Sequence, residues 1–101
     1  MSYTPSGAAI NQDTIRKFVF KTFLKSNKSI VLSDDDSFFE EGIIDSTGVL
    51  ELVEFLEKEF SINVEDQELI PENLDSIDNT AKYLIQKVGW LSLHYFNKRS
   101  F

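Results

Sequence analysis

The sequence predicts an all-α domain, a four-helix bundle with a long first loop and a short third helix. Three observations support this. Apolar residues recur at three- and four-residue spacing in three separate stretches, the period of one helical face. Pro71 stands where it can open a short additional turn. The connection from Ser26 to Asp45 is unusually long for so small a chain, but its polar clusters are interrupted by apolar residues able to pack it down.

Residues 1–10 are small and polar, with Pro5 and Gly7, and read as a loose lead-in. Asn11 or Asp13 can cap a first helix over 12–26, whose inner face is Ile15, Phe18, Val19, Phe23 and Leu24. Its other side carries Arg16, Lys17, Lys21 and Lys25, a solvated face near the end where the helix dipole favours cations. In the loop that follows, Leu32, Phe38 or Phe39, and Ile43 or Ile44 are expected to reach the core. The acid run Asp34–Asp36 does not open a calcium loop, because the sixth and twelfth positions counted from Asp34 are Phe39 and Asp45 where glycine and glutamate are needed. It reads as a turn and a short helix cap.

A second helix is expected from about Ser46 to Phe60. Val49, Leu52, Val53, Leu56 and Phe60 share one face and should form the centre of the core, while Thr47, Leu50, Glu51, Glu54 and Lys58 lie opposite. Leu50, apolar and framed by two glutamates on the outer side, suggests a partner contact. Ile62, Val64, Leu69 and Leu74 can then seal one side of the bundle around the turn at Pro71. The last helix starts near Ser76, capped by Asp75 or Ser76, with Ile77, Ala81, Leu84, Ile85 and Val88 inward and Gly89 ending or interrupting it. The domain therefore spans 11–88, followed by an aromatic and basic extension over 89–101. Added packing is its expected role, because Trp90, Leu91, Tyr95 and Phe96 are costly to leave in water.

Composition narrows the function. At 101 residues the chain is one small domain, too small to bury an elaborate catalytic cleft. A net charge of -7 repels phosphate backbones and argues against nucleic acid or an anionic membrane, favouring basic protein surfaces. No cysteine is present, so any thiol chemistry must be imported and a reduced cytoplasmic setting is compatible. The N-terminal residues do not resemble a signal peptide, and no apolar run approaches the roughly 20 residues of a membrane span. A soluble monomer is expected.

Catalytic constellations are not apparent. His94 is far along the chain from any nucleophile, there is no Gly-rich phosphate loop and no HExxH pair, and Glu51 and Glu54 fall on a solvated surface. No metal site and no enzymatic role are expected. What stands out is a hydroxyl, Ser46, at the start of the second helix and directly after Asp45. Each is a preferred cap, so one is redundant and free for another purpose. A phosphate ester on Ser46 would sit beside backbone N–H groups at the positive end of the helix dipole.

The segment FFEEGIIDSTGVLELVEFLEKEFSI resembles the core of acyl and peptidyl carrier proteins, whose signature is an Asp-Ser pair followed by an apolar-acidic helix. The resemblance covers about residues 12–88 and implies an acyl-carrier-protein-like bundle. It further implies a discrete carrier whose Ser46 bears 4'-phosphopantetheine, transferred from coenzyme A by a separate phosphopantetheinyl transferase, with acyl or aminoacyl groups held as thioesters. By position, Asp45 would be the neighbour that helps the transferase and its metal. Thr47, Leu50, Glu51 and Glu54 would face partners, namely the transferase, an acyl- or aminoacyl-loading ligase, and downstream synthase or transferase enzymes. Two residues depart from the pattern: Thr47 replaces a usual apolar residue, and Gly48 follows where helices avoid glycine, and both are expected to alter the surface that enzymes read. The alternative is a helical interaction module without a prosthetic group, using Leu50 and the acidic helix as its adaptor surface.

Overall fold

A computed structural model describes residues 7–25 and 29–99, with side-chain surroundings described for 11–25 and 29–88. Among the described residues there are four α-helices and no strand: α1 (Gly7–Thr22), α2 (Gly48–Phe60), α3 (Pro71–Leu74) and α4 (Ile77–Arg99), with a 3-10 turn at Asp66–Glu68. The expected long first loop and short third helix are both present.

The core forms where apolar stripes converge. Ile15 and Val19 come from α1, Leu52 and Leu56 from α2, Leu74 from α3, and Ile77, Ala81 and Leu84 from α4, all buried. α1 packs on α4, and α3 on α4. Val49, Val53 and Phe60 flank the buried pair of α2 as partly covered residues, so its predicted face is oriented as expected. An aromatic seam ties α1 to α2, with Phe18 stacked on Phe55 at 4.0 Å and meeting Phe23 edge-on at 5.9 Å.

The long loop is pinned by Leu32, Phe38 and Ile44, all buried, while Phe39 points outward at 68% exposure and Ile43 is half-buried. Hydrogen bonding decides between the neighbours. The Phe38 amide donates to the Asp75 carbonyl at 2.8 Å, and the Phe38 carbonyl accepts from Ile43 at 2.8 Å and Ile44 at 3.3 Å, closing a compact turn with Phe38 inside.

Several expectations are corrected. α1 begins earlier than residue 12 and ends at Thr22; Phe23 and Leu24 still donate to the Val19 carbonyl, and Lys25, with φ of 50°, breaks the helical path. Arg16 is not on a solvated face but pairs with Asp34 at 2.5 Å, both groups partly covered. Asp34–Asp36 form a turn but cap no helix. Asp36 accepts from the Ser33 amide at 2.8 Å, and the Asp34 carbonyl accepts from the Asp78 amide at 2.8 Å, so the run fastens the loop to α1 and α4.

At the start of α4, Ser76 is the cap, its hydroxyl accepting from the Asn79 amide at 2.9 Å. Ile85 and Val88, expected inside, are 41% and 39% exposed. Nor does Gly89 end the helix, which continues to Arg99; an interior glycine costs only about 1 kcal/mol and no proline follows. The expected packing of Trp90, Leu91, Tyr95 and Phe96, and the surroundings of His94, lie outside the described side chains.

A polar fastener holds the 3-10 turn to α4. Glu68 Oε1 accepts from Lys87 Nζ at 2.8 Å, Tyr83 Oη at 3.0 Å and the Glu65 amide at 2.9 Å. Burial alone raises the Glu68 pKa, but the hydrogen bonds from Lys87, the Glu65 amide and Tyr83 outweigh it and hold the carboxyl below the ordinary carboxylate range. A depressed folded-state pKa contributes stability that is present above the unfolded value and lost as pH falls through the folded one. Glu68→Gln should therefore lower the melting temperature near neutral pH and narrow the gap to the parent protein in acid. Parallel thermal melts across that acid range check this, and a gap constant with pH would count against it.

Candidate functional site

The site is built at the loop-to-helix junction before α2. Asp45 Oδ1 accepts from the Thr47 amide at 3.1 Å and the Gly48 amide at 2.7 Å, and the Asp45 carbonyl accepts from the Val49 amide at 3.1 Å. Thr47 already has helical backbone, φ −79° and ψ −41°. Asp45 is thus the functional cap, and Ser46 is the first residue beyond it. Of the two candidate caps, the redundant one is Ser46: it is exposed, and its hydroxyl makes no hydrogen bond among the described residues.

The same geometry corrects the expected phosphate cradle. The Thr47 and Gly48 amides are occupied by Asp45, so an anion on Ser46 would not receive those donors and would lie in solvent beside a carboxylate. A group attached there is held by its covalent bond rather than by a nest of amides.

Gly48 has a packing reason. A Cβ at this position would stand 3.0 Å from Phe23 Cε1, 3.2 Å from Ile44 Cγ2 and 3.3 Å from Asp45 Oδ1. Without it, the start of α2 lies directly against the ring of Phe23, just past the end of α1. Gly48 is buried, so of the two departures only exposed Thr47 contributes to the surface that enzymes can read.

Beside Ser46 opens a groove of about 410 Å³. Phe38, Phe39 and Ile44 line it from the loop, Val49 from α2, and Leu69, Ile70, Pro71 and Leu74 from the opposite side. Phe39 and Ile70 are 68% and 41% exposed at this groove, and the sequence reading assigned neither of them to the site. Only the immediate neighbours hinted at them: one of two adjacent phenylalanines had to face out, and Ile70 precedes the proline that turns the chain. On the outside of α2, Thr47, Leu50, Glu51 and Glu54 are all exposed, Leu50 by 59%, as expected. Among the described residues no group of three His, Asp or Glu side chains could hold a metal ion. No helix among them is long and apolar enough to cross a membrane.

A small helical bundle with an exposed serine hydroxyl beside an apolar groove is an arrangement that suits a carrier-type scaffold. The family model for the phosphopantetheine attachment site matches residues 17–84, and the chain belongs to that family. Its prosthetic group is covalently attached 4'-phosphopantetheine, and its role is that of a phosphopantetheine carrier. Searches of the curated proteins and of the solved structures returned no significant match.

Proposed function

We propose that Ser46 is the residue that bears the 4'-phosphopantetheine arm, and that the chain carries acyl or aminoacyl groups on it as thioesters without catalysing a step itself. The observation that carries this reading is the division of labour at the junction. Asp45 satisfies the helix terminus, leaving Ser46 exposed and without a hydrogen-bond partner among the described residues. The residues present fit the group: among the described residues Ser46 is exposed, and an apolar groove adjoins it. When bound, 4'-phosphopantetheine supplies a flexible arm ending in the thiol that this cysteine-free chain lacks.

The protein's own residues do the presenting. Asp45 fixes the helix start through the Thr47 and Gly48 amides, and as the neighbour of Ser46 it would help the transferase and its metal. Thr47, Leu50, Glu51 and Glu54 form the face for a phosphopantetheinyl transferase, a loading ligase and downstream synthases or transferases. Their acidity suits basic partner surfaces, and exposed Leu50 supplies an apolar anchor. Incubation with coenzyme A and a broad-specificity transferase should add the mass of one phosphopantetheine, and Ser46→Ala should remove that addition. An unmodified parent protein beside a modified control carrier contradicts the reading.

A second reading, an adaptor without a prosthetic group, draws on the exposure of Leu50 between two acids. It predicts that Ser46→Ala leaves function intact while Leu50→Arg abolishes it. The carrier reading predicts loss of function from Ser46→Ala and only weakened partner binding from Leu50→Arg.

A further inference from the structure

We infer that Asp75 is a positioning residue for the Ser46 site, a clamp that sets the spacing between the two walls of the adjoining groove. The inference rests on the carrier reading of Ser46. Asp75 lies at the α3–α4 junction and lines the groove itself. Its carboxylate is not used to cap α4, because Ser76 does that. Instead it reaches across to the loop wall: Oδ1 accepts from the Phe39 amide at 3.0 Å, and Oδ2 accepts from the Ser37 hydroxyl. The Ser37 hydroxyl in turn accepts from the Glu40 amide at 3.1 Å, capping the turn that carries Phe39.

The backbone of the same residue completes the clamp. The Asp75 carbonyl accepts from the Phe38 amide at 2.8 Å, and its amide donates to the Pro71 carbonyl at 3.0 Å, at the head of α3. One residue thus ties Ser37, Phe38 and Phe39 on one wall to Pro71 on the other. Among the described residues its carboxylate has no cationic partner, so these loop donors are its only direct protein partners. Phe39 and Ile70, the exposed apolar residues of the two walls, are the features whose separation this clamp governs. The helix start that follows Ser46 is held separately by Asp45, so releasing Asp75 should disturb the surface on which an enzyme lands and not the reacting hydroxyl.

The test compares Asp75→Ala, Asp75→Asn and a core truncation away from the groove, Val19→Ala, with the parent protein at a temperature where all are folded. Amide exchange and transferase kinetics with coenzyme A are measured on each. Asp75→Ala should speed exchange at Phe39 and Glu40 by about tenfold, while the amides of Leu52 and Leu56 stay near the parent rate. It should also raise the transferase KM for this protein by about threefold or more with kcat unchanged. Asp75→Asn, which keeps an acceptor for the Phe39 amide and can donate to Ser37, should restore both to within about twofold of the parent. Parent-like exchange and KM in folded Asp75→Ala overturn the inference, as does an equal KM change from Val19→Ala. If the parent protein takes no phosphopantetheine, the carrier reading fails, and the exchange measurements still decide whether Asp75 is a clamp.

Discussion

Phe38→Ala should lower the unfolding free energy by about 3–5 kcal/mol, read as a drop in the urea midpoint with little change in slope. Phe38 is 1% exposed and among the largest fully buried side chains, although it belongs to a loop. Removing its ring empties volume between the helices and detaches the turn whose backbone it anchors through the Asp75, Ile43 and Ile44 hydrogen bonds. A domain of this size has only about 5–15 kcal/mol in total, so the loss is a large share. Phe39→Ala should change stability by no more than about 0.5 kcal/mol, because that ring is already in water. Equal effects at the two positions would show that the loop is not pinned as described.

Gly48→Leu should destabilise by about 1–3 kcal/mol through overpacking, despite a helix preference that favours leucine over glycine. The first carbon alone meets Phe23 at 3.0 Å and Ile44 at 3.2 Å, and the branched remainder has to displace one of them. Gly48→Ala sets the same two effects against each other. It gains about 1 kcal/mol of helix preference and loses a comparable amount by pushing the Phe23 ring, so its net change should be small. Thermal or urea unfolding of the pair separates them. A leucine variant as stable as the parent would remove the close approach of the Phe23 and Ile44 side chains as the reason for this glycine.

The helical faces were legible because periodicity reports burial directly. Leu52, Leu56, Ile15, Val19, Ile77, Ala81 and Leu84 fall inside as their spacing requires. Periodicity does not say how much of a face its neighbours cover: Ile85 and Val88 carry the inward pattern of α4 and yet stand exposed. Capping ambiguities were legible as pairs and not as choices. Asp45 or Ser46, and Asp75 or Ser76, each offered two candidates, and the fold assigns them in opposite order: the first of one pair caps, the second of the other. The groove was not legible, since it exists only where the loop, the start of α2 and the segment around α3 meet. Gly48 looked like a local fault because its reason, the Phe23 ring, is remote in sequence.

The two non-capping members of those pairs carry the site's architecture. Asp75 binds the walls of the groove, and Ser46 is left with an exposed hydroxyl at its edge. The most direct measurement is fragment-ion mass spectrometry of the peptide spanning Asp45 and Ser46 after reaction with coenzyme A and a phosphopantetheinyl transferase. The carrier account predicts a single phosphopantetheine mass localised to Ser46 and to no other hydroxyl in the chain. Modification at another serine or threonine, or an unmodified Ser46 beside a fully modified control carrier, would contradict it.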